Sequence, residues 1–338
     1  MKGVMAYPDW SGMESSKTVM EWRRSTVIYD KYNFTVPTQK MIRLIMNTDA
    51  KNEADDQYAI VHALLSPKID TRGFIAAHFG DWLSQSSMED SYEEIAKILD
   101  LMQIPDNNGI FKGASRALAD ETTPIPSAGA ELIIKEAMSN DPRPLFVTFL
   151  GPLTDMASAL LMEPRIADRL TVIWIGGGAY PAGEPEYNLW NDIHAANVVF
   201  KSKVPVWQVP KNVYQRVMVS MAELEYRVKP HGELGNYLFE QLVEFGHTEA
   251  AINTAIRTGE CWCLGDSPAV GLLLCDHEYH YDWLPAPEFT ADMRYIHERN
   301  NRPIRVYKDV NSRFILEDFF IKLAMFTEKQ RASIMRSR

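Results

Sequence analysis

The segment Asn47-Thr48-Asp49-Ala50-Lys51-Asn52-Glu53-Ala54-Asp55-Asp56 carries four carboxylates, those of Asp49, Glu53, Asp55 and Asp56, directly after a short apolar run. Like charges this close repel unless a cation neutralises them. Hard carboxylate oxygens on a loop suit Ca²⁺ or Mg²⁺. A plainer reading has Asp55 and Asp56 capping the helix that follows and favouring its dipole. That reading leaves Asp49, at the end of a buried strand, without a purpose. An EF-hand is excluded, because the loop lacks the Gly at its sixth position and the Glu at its twelfth, and a strand precedes it. A phosphatase-type aspartyl loop is excluded because Asn47 stands where the nucleophile would be.

Three further segments carry polar residues just after predicted strands. Gly151-Pro152-Leu153-Thr154-Asp155 follows the run PLFVTFL. Ile175-Gly176-Gly177-Gly178-Ala179 and then Glu186-Tyr187-Asn188-Leu189-Trp190-Asn191-Asp192 follow TVIWI. Gly265-Asp266-Ser267-Pro268-Ala269-Val270 opens an apolar helix. Taken singly, each has an ordinary structural reading: a helix start at Thr154, a turn at the glycines, an Asp N-cap before Pro268.

Together, in this order and spacing, the four segments resemble the nucleoside hydrolase family. The first resembles its D-T-D-x-G-x-D-D signature, with Asn47 for the first Asp and five residues instead of three between Asp49 and Asp55. The others resemble its G-P-L-T-N, G-G-A, E-F-N-x-x-x-D and H-D-P-L-A-V segments, with Gly265 in place of the His. The resemblance spans about two-thirds of the chain, from Asn47 to Val270. It implies calcium-dependent hydrolysis of the N-glycosidic bond of ribonucleosides to ribose and a free base. It further implies Ca²⁺ held by Asp49, Asp56, the Thr154 carbonyl and Asp266, with Asp49 as the general base. Asp55, Glu186 and Asn188 would meet the sugar hydroxyls. Trp82 and Trp262 would stack on the base, and His78, with Asp81 nearby, lies where the family often has an Asn that touches sugar. Two other readings stand beside this one: hydrolysis of another ribosyl-like glycoside, and calcium-dependent sugar binding without catalysis on the same fold.

The elements needed to position these residues follow from hydrophobic spacing. Apolar runs at 43–47, 73–77, 144–150, 171–175, 204–209 and 304–310 read as strands. Helical spacing at 57–65, 91–102, 131–138, 154–162, 222–245, 268–274 and 313–326 places helices between them. The alternation predicts one α/β domain over 41–338, a mostly parallel central sheet flanked by helices, preceded by a polar extension over 1–40. In such a sheet ligands bind beyond the carboxyl ends of the strands, where all four segments fall.

Composition narrows the partners. The formal net charge is −10, from 45 acidic and 35 basic residues. With no basic stripe, nucleic acid is excluded. No stretch has the length and apolarity of a membrane span, and residues 1–10 do not read as a secretory signal, so Asn33-Phe34-Thr35 is a chance glycosylation match. The cysteines, Cys261, Cys263 and Cys275, fit reduced thiols in a cytoplasmic protein. Cys275-Asp276-His277-Glu278-Tyr279-His280 reads as a loop and not a zinc site. The resemblance implies a small-molecule substrate and a homo-oligomer, dimer or tetramer.

Overall fold

The structure, a computed structural model, describes residues 32–104, 109–253, 259–275, 280–298 and 301–336, with side chains of the last helix described to residue 328. Most of the 1–40 extension and the middle of the 275–280 cluster therefore lie outside the described residues.

The first half of the chain alternates strictly: β1 (Ile42–Thr48), α1 (Asp56–Leu64), β2 (Ile69–Ala76), α2 (Ser87–Leu101), β3 (Ile110–Lys112), α3 (Ala128–Ala137), β4 (Leu145–Phe149), α4 (Thr154–Met162) and β5 (Thr171–Ile175). Helices α5 (Tyr187–Asn191) and α6 (Ile193–Lys201) lead to β6 (Val206–Val209) and α7 (Lys211–Tyr214). Then come β7 (Met218–Ser220), α8 (Met221–Arg227), α9 (Gly232–Gly246), α10 (Glu249–Asn253), β8 (Cys261–Cys263) and α11 (Pro268–Leu274). The chain closes with β9 (Tyr281–Pro285), β10 (Glu288–Phe289), β11 (Tyr295–Ile296), β12 (Pro303–Tyr307) and α12 (Ser312–Arg336).

The main sheet has eight strands in the order β3-β2-β1-β4-β5-β6-β12-β9. Every neighbouring pair is parallel except β12 with β9. Alternate side chains of β1 point to opposite faces: Leu44 and Met46 into one core, Ile45 into the other. The first core is closed by α1, α2, α9, α11 and α12, the second by α3, α4 and α6. A strand buried on both faces is apolar over most of its length, which is why these strands read as hydrophobic runs, with the polar residues of β1 and β2 near the strand ends.

From β1 the chain winds outward through β2 and β3, then returns to place β4 on the other side of β1. The carboxyl ends of β1 and β4 thus flank the point where the winding reverses, the crevice at which doubly wound sheets bind ligands.

The expected α/β sheet is present, with differences at its margins. The helical reading of 222–245 splits in two, because the chain turns at Val228–His231 between α8 and α9. The short strands β3, β7, β8 and β9 were not expected. Three-residue strands carry too little periodicity to stand out, and β9, at the sheet edge, has no buried residue to mark one face. Among the described residues no helix is long and apolar enough to cross a membrane.

Candidate active site

Asp49 is the first residue beyond β1, and it is 1 % exposed. Its carboxylate lies against the backbone just beyond β4: a Cβ on Gly151 would come 2.6 Å from Asp49 Cγ, so glycine is required there for the two strand ends to meet. The loop from Asp49 to Asp55 is held from several sides. Asn52 donates its backbone N–H to the Asp49 carbonyl at 2.8 Å and its side-chain amide to Asp49 Oδ2 at 3.2 Å. Gln57 and Gln241 donate to the Ala50 and Ala54 carbonyls, both at 2.7 Å. Lys51 Nζ turns outward to Glu94, 3.1 Å away.

The capping explanation for Asp55 and Asp56 does not hold. Asp55 occupies the N-cap of α1 but makes no capping hydrogen bond; its Oδ2 instead accepts the backbone N–H of Asp266 at 3.1 Å. Asp56 Oδ1 accepts from the Thr48 hydroxyl at 2.5 Å. The Asp266 capping alternative fails too, since Ser267 is the N-cap of α11. Asp55, Asp56 and Asp266 each offer an oxygen within 4.8 Å of the others, and all three are buried.

Burial and mutual repulsion push these groups to protonate. The Asp55 carboxyl is raised to about 7 and that of Asp56 to about 6, in both cases chiefly by burial. Asp49 and Asp266 are raised well above the usual range, again by burial first and then by their acidic neighbours. Glu53, half-buried at the rim, responds in the same way. None of these carboxylates has an Lys, Arg or His ion-pair partner among the described residues. Two oxygens on one Ca²⁺, each about 2.4 Å from it, are separated by up to roughly 4.8 Å. The oxygen spacing, the all-oxygen donor set and the unbalanced charge therefore fit a hard divalent cation.

Thr154, at the start of α4, is fixed by its side chain: its hydroxyl donates to Asp192 Oδ2 at 2.8 Å and accepts from His78 Nε2 at 2.8 Å. His78 Nδ1 accepts from the Gly80 N–H at 3.3 Å, and burial lowers the imidazole to about 4, so it is neutral. His78, expected at the sugar, has both ring nitrogens committed to protein and acts on Thr154. Asp192 also accepts from the Ala195 and Leu118 N–H groups.

Glu186 caps α5 and is surrounded by donors. Its Oε2 accepts from the Gly177 and Leu189 N–H groups at 2.8 and 2.9 Å, and its Oε1 from the Asn188 N–H and the Tyr214 hydroxyl at 3.2 and 2.9 Å. The Asn188 amide donates to the Leu150 and Ile175 carbonyls, at 2.5 and 2.8 Å, tying this residue to the ends of β4 and β5.

The two tryptophans part company. Trp82 is 47 % exposed; its indole N–H donates to the Tyr187 hydroxyl at 2.8 Å, and the rings meet edge to face. Tyr187 in turn touches Trp190, which is 50 % exposed. Trp262, expected as a second stacking surface, is instead a core residue on β8, edge-on to Phe245. Its neighbour Cys263 takes the opposite side of the strand and feels the charge of Asp55 and Glu53.

Sequence reasoning assigned no role to Tyr187, Trp190, Tyr214 or Asp155. Tyr214 matters because of Gly265: a Cβ there would sit 3.0 Å from the Tyr214 ring and 3.5 Å from Asp55 Oδ2, so this ring fills the space beside the cluster that a side chain at 265 would need. The aromatic and acidic letters of the 186–192 segment were a signal for Tyr187 and Trp190; for Tyr214 nothing local marked it.

A mostly parallel sheet with a cluster of buried carboxylates at its switch point defines a class: an α/β protein whose strand ends could hold a hard cation. Comparison with known proteins makes this specific. The model of the inosine-uridine preferring nucleoside hydrolase family matches residues 44–316, and the chain belongs to that family. It is 26 % identical over 216 residues to a pyrimidine-specific ribonucleoside hydrolase, RihA, of Salmonella arizonae, covering 56 % of this chain and 67 % of that one. Its fold is similar to that of a purine-preferring ribonucleoside hydrolase from Gardnerella vaginalis, with a TM-score of 0.69 and 22 % identity over 84 % of this chain and 99 % of that one. It is also similar to a plant nucleoside hydrolase, PpNRh1, with a TM-score of 0.65 and 18 % identity over 84 % and 99 % of the two chains. These last two likenesses are of fold.

Proposed function

We propose that the chain is a calcium-dependent N-glycoside hydrolase that cleaves ribonucleosides to ribose and a free base. The observation that carries this reading is the cluster of Asp55, Asp56 and Asp266, buried without a counter-charge beside Asp49. Asp56 and Asp266, with Asp49 and the Thr154 carbonyl, would supply the protein oxygens that hold the cation. Asp55 would meet a sugar hydroxyl. When bound, calcium supplies the positive charge that lowers the pKa of a nearby water.

The chain's own residues do the rest. Asp49 accepts the proton of the attacking water, and Asn52, donating to Asp49 Oδ2, fixes the carboxylate for that transfer. The attack falls on an oxocarbenium-like anomeric carbon, which hydroxyl contacts stabilise. Asn188, with its amide N–H groups spent on the protein, turns its oxygen to a sugar hydroxyl. A hydroxyl reaching Glu186 takes the place of Tyr214, the one side-chain donor among the four that surround it. Trp82, Tyr187 and Trp190 form an aromatic rim on which a base stacks. The departing base needs a proton, and with Gly265 at the family's His position that proton comes from another group or from solvent.

The test is release of free sugar from a panel of purine and pyrimidine ribonucleosides, with calcium and with a chelator. Chelator-sensitive release from at least one nucleoside is the expected result. No release from any of them by protein that has taken up calcium would reject the nucleosidase reading.

A further inference from the structure

We propose that Asn47 and Asp155 are a charge-transposed pair that positions the acidic cluster: the buried carboxylate stands at the start of α4 and its amide partner on β1, the reverse of the family signature. Asn47 lies on β1 two residues before Asp49, and Asp155 follows Thr154 directly. The Asn47 amide donates to Asp155 Oδ2 at 2.9 Å, and neither residue is more than 2 % exposed. The other oxygen, Asp155 Oδ1, accepts from the Ala114 N–H at 2.9 Å and from the Ser127 hydroxyl at 2.6 Å. One carboxylate thus gathers β1, the segment after β3 and the N-cap of α3 onto the first turn of α4.

Read one at a time, Asn47 in D-T-D and Asp155 in G-P-L-T-N are two unrelated departures. The hydrogen bond joining them makes them one exchange. The contact needs one amide and one carboxylate. Two carboxylates at this distance must share a proton or repel. Two amides lack the charge that makes three converging donors strong. Placing the charge at 155 also removes it from the strand that already delivers Asp49 and puts it at a helix N-terminus, where the dipole favours it. The reversal leaves a trace: Asn47 Oδ1 is buried without a hydrogen-bond partner. Through this pair the end of β1, which carries Asp49, is set against the start of α4, which carries Thr154.

The exchange stands apart from the nucleosidase reading, because its first readout requires no substrate and no metal. The variants are Asn47→Asp, Asp155→Asn and the two combined, each measured by thermal unfolding in chelator and by calcium titration of the folded protein. Asn47→Asp should lower the unfolding midpoint by about 2–5 °C and Asp155→Asn by less. The double variant should recover at least half of the Asn47→Asp loss. Calcium affinity should fall at least about fivefold in the single variants that fold and return to within about threefold in the double. If Asn47→Asp does not fold, a double variant that folds is itself the rescue, and a double that fails while Asp155→Asn folds overturns the pair. Midpoint losses that simply add would also overturn it. Calcium affinity unchanged in every folded variant would overturn the positioning role. If the parent protein takes up no divalent cation, the metal reading falls and the exchange is judged on the midpoints alone.

Discussion

The two ends of the β1–β2 pair bury charge in opposite ways. At the amino ends, Arg43, Arg72 and Arg143 meet Asp70, Glu136 and Asp141. Arg72 lies 3.0 Å from Glu136, Arg143 2.8 Å from Asp70, and Arg43 3.3 Å from Glu136. Each buried carboxylate there has a guanidinium, as burial demands. At the carboxyl ends, Asp49, Asp55, Asp56 and Asp266 are equally buried and, among the described residues, have one another and a few N–H and O–H donors. The same sheet that neutralises charge at one end accumulates it at the other. The first end is neutralised within the chain, and the second carries the oxygen donors and unbalanced charge that a divalent cation would neutralise.

The largest expected effect falls on the unpaired end. Asp49→Ala should reduce sugar release by about 10³-fold or more while the unfolding midpoint in chelator stays or rises, since a repelling carboxylate is removed. A variant that retains turnover would place the general base elsewhere.

Arg43→Met probes the paired end. It leaves Glu136 buried with less compensation and should cost about 3 kcal/mol of stability, seen in denaturant unfolding, with calcium affinity unchanged. A loss of calcium affinity without a loss of stability would break the distinction between the ends.

Calcium should stabilise the fold by the amount mass action gives, about 2.7 kcal/mol at 100 times Kd, read as a higher unfolding midpoint. Asp56→Asn should abolish that gain. A variant still stabilised by calcium would exclude Asp56 as a ligand.

Acidity sharpens the comparison by sign. In metal-free protein the Asp55 and Asp56 carboxyls are raised to about 7 and about 6 from an ordinary 3.8. The folded chain therefore holds protons that the unfolded chain has released. Their contribution is full below about pH 4 and is lost as pH rises through 6 to 7. Asp141 goes the other way: its hydrogen bonds to Arg143 hold it at about 2, so its contribution is present above about pH 4 and lost toward pH 2. Midpoints measured in chelator should fall between about pH 5 and pH 8, and calcium should remove the fall. An increase over that range in chelator would contradict the raised carboxyls.

The smallest effect belongs to the rim. Trp82→Ala should raise KM by about tenfold with little change in kcat, as loss of a stacking surface does, whereas Trp262→Ala should act through stability. Equal effects of the two on KM would contradict the division between rim and core.

Much of this was legible in the sequence, because a doubly wound sheet writes itself as apolar runs separated by helical spacing, and because the strand ends carry the polar motifs. Helix α4 and strand β5 sit where the spacing puts them. What was not legible depends on contacts between distant segments. Trp262 reads the same as Trp82 in a one-dimensional string; only the pairing of β8 with β7 turns it into the core. His78 reads as a ligand until Thr154 and Gly80 are seen to hold both nitrogens. Asn47 and Asp155 are 108 residues apart, and no local pattern says that they share a hydrogen bond.

The carboxyl end of β1 and the loop leading into α11 are proposed to hold a divalent cation that no side chain replaces. Calcium titration calorimetry on chelator-treated protein, beside Asp56→Asn and Asp266→Asn, tests it most directly. One calcium ion should bind per parent chain, and none, or far more weakly, in the two variants. A parent chain that takes up no divalent cation, or variants that bind calcium as the parent does, would contradict it.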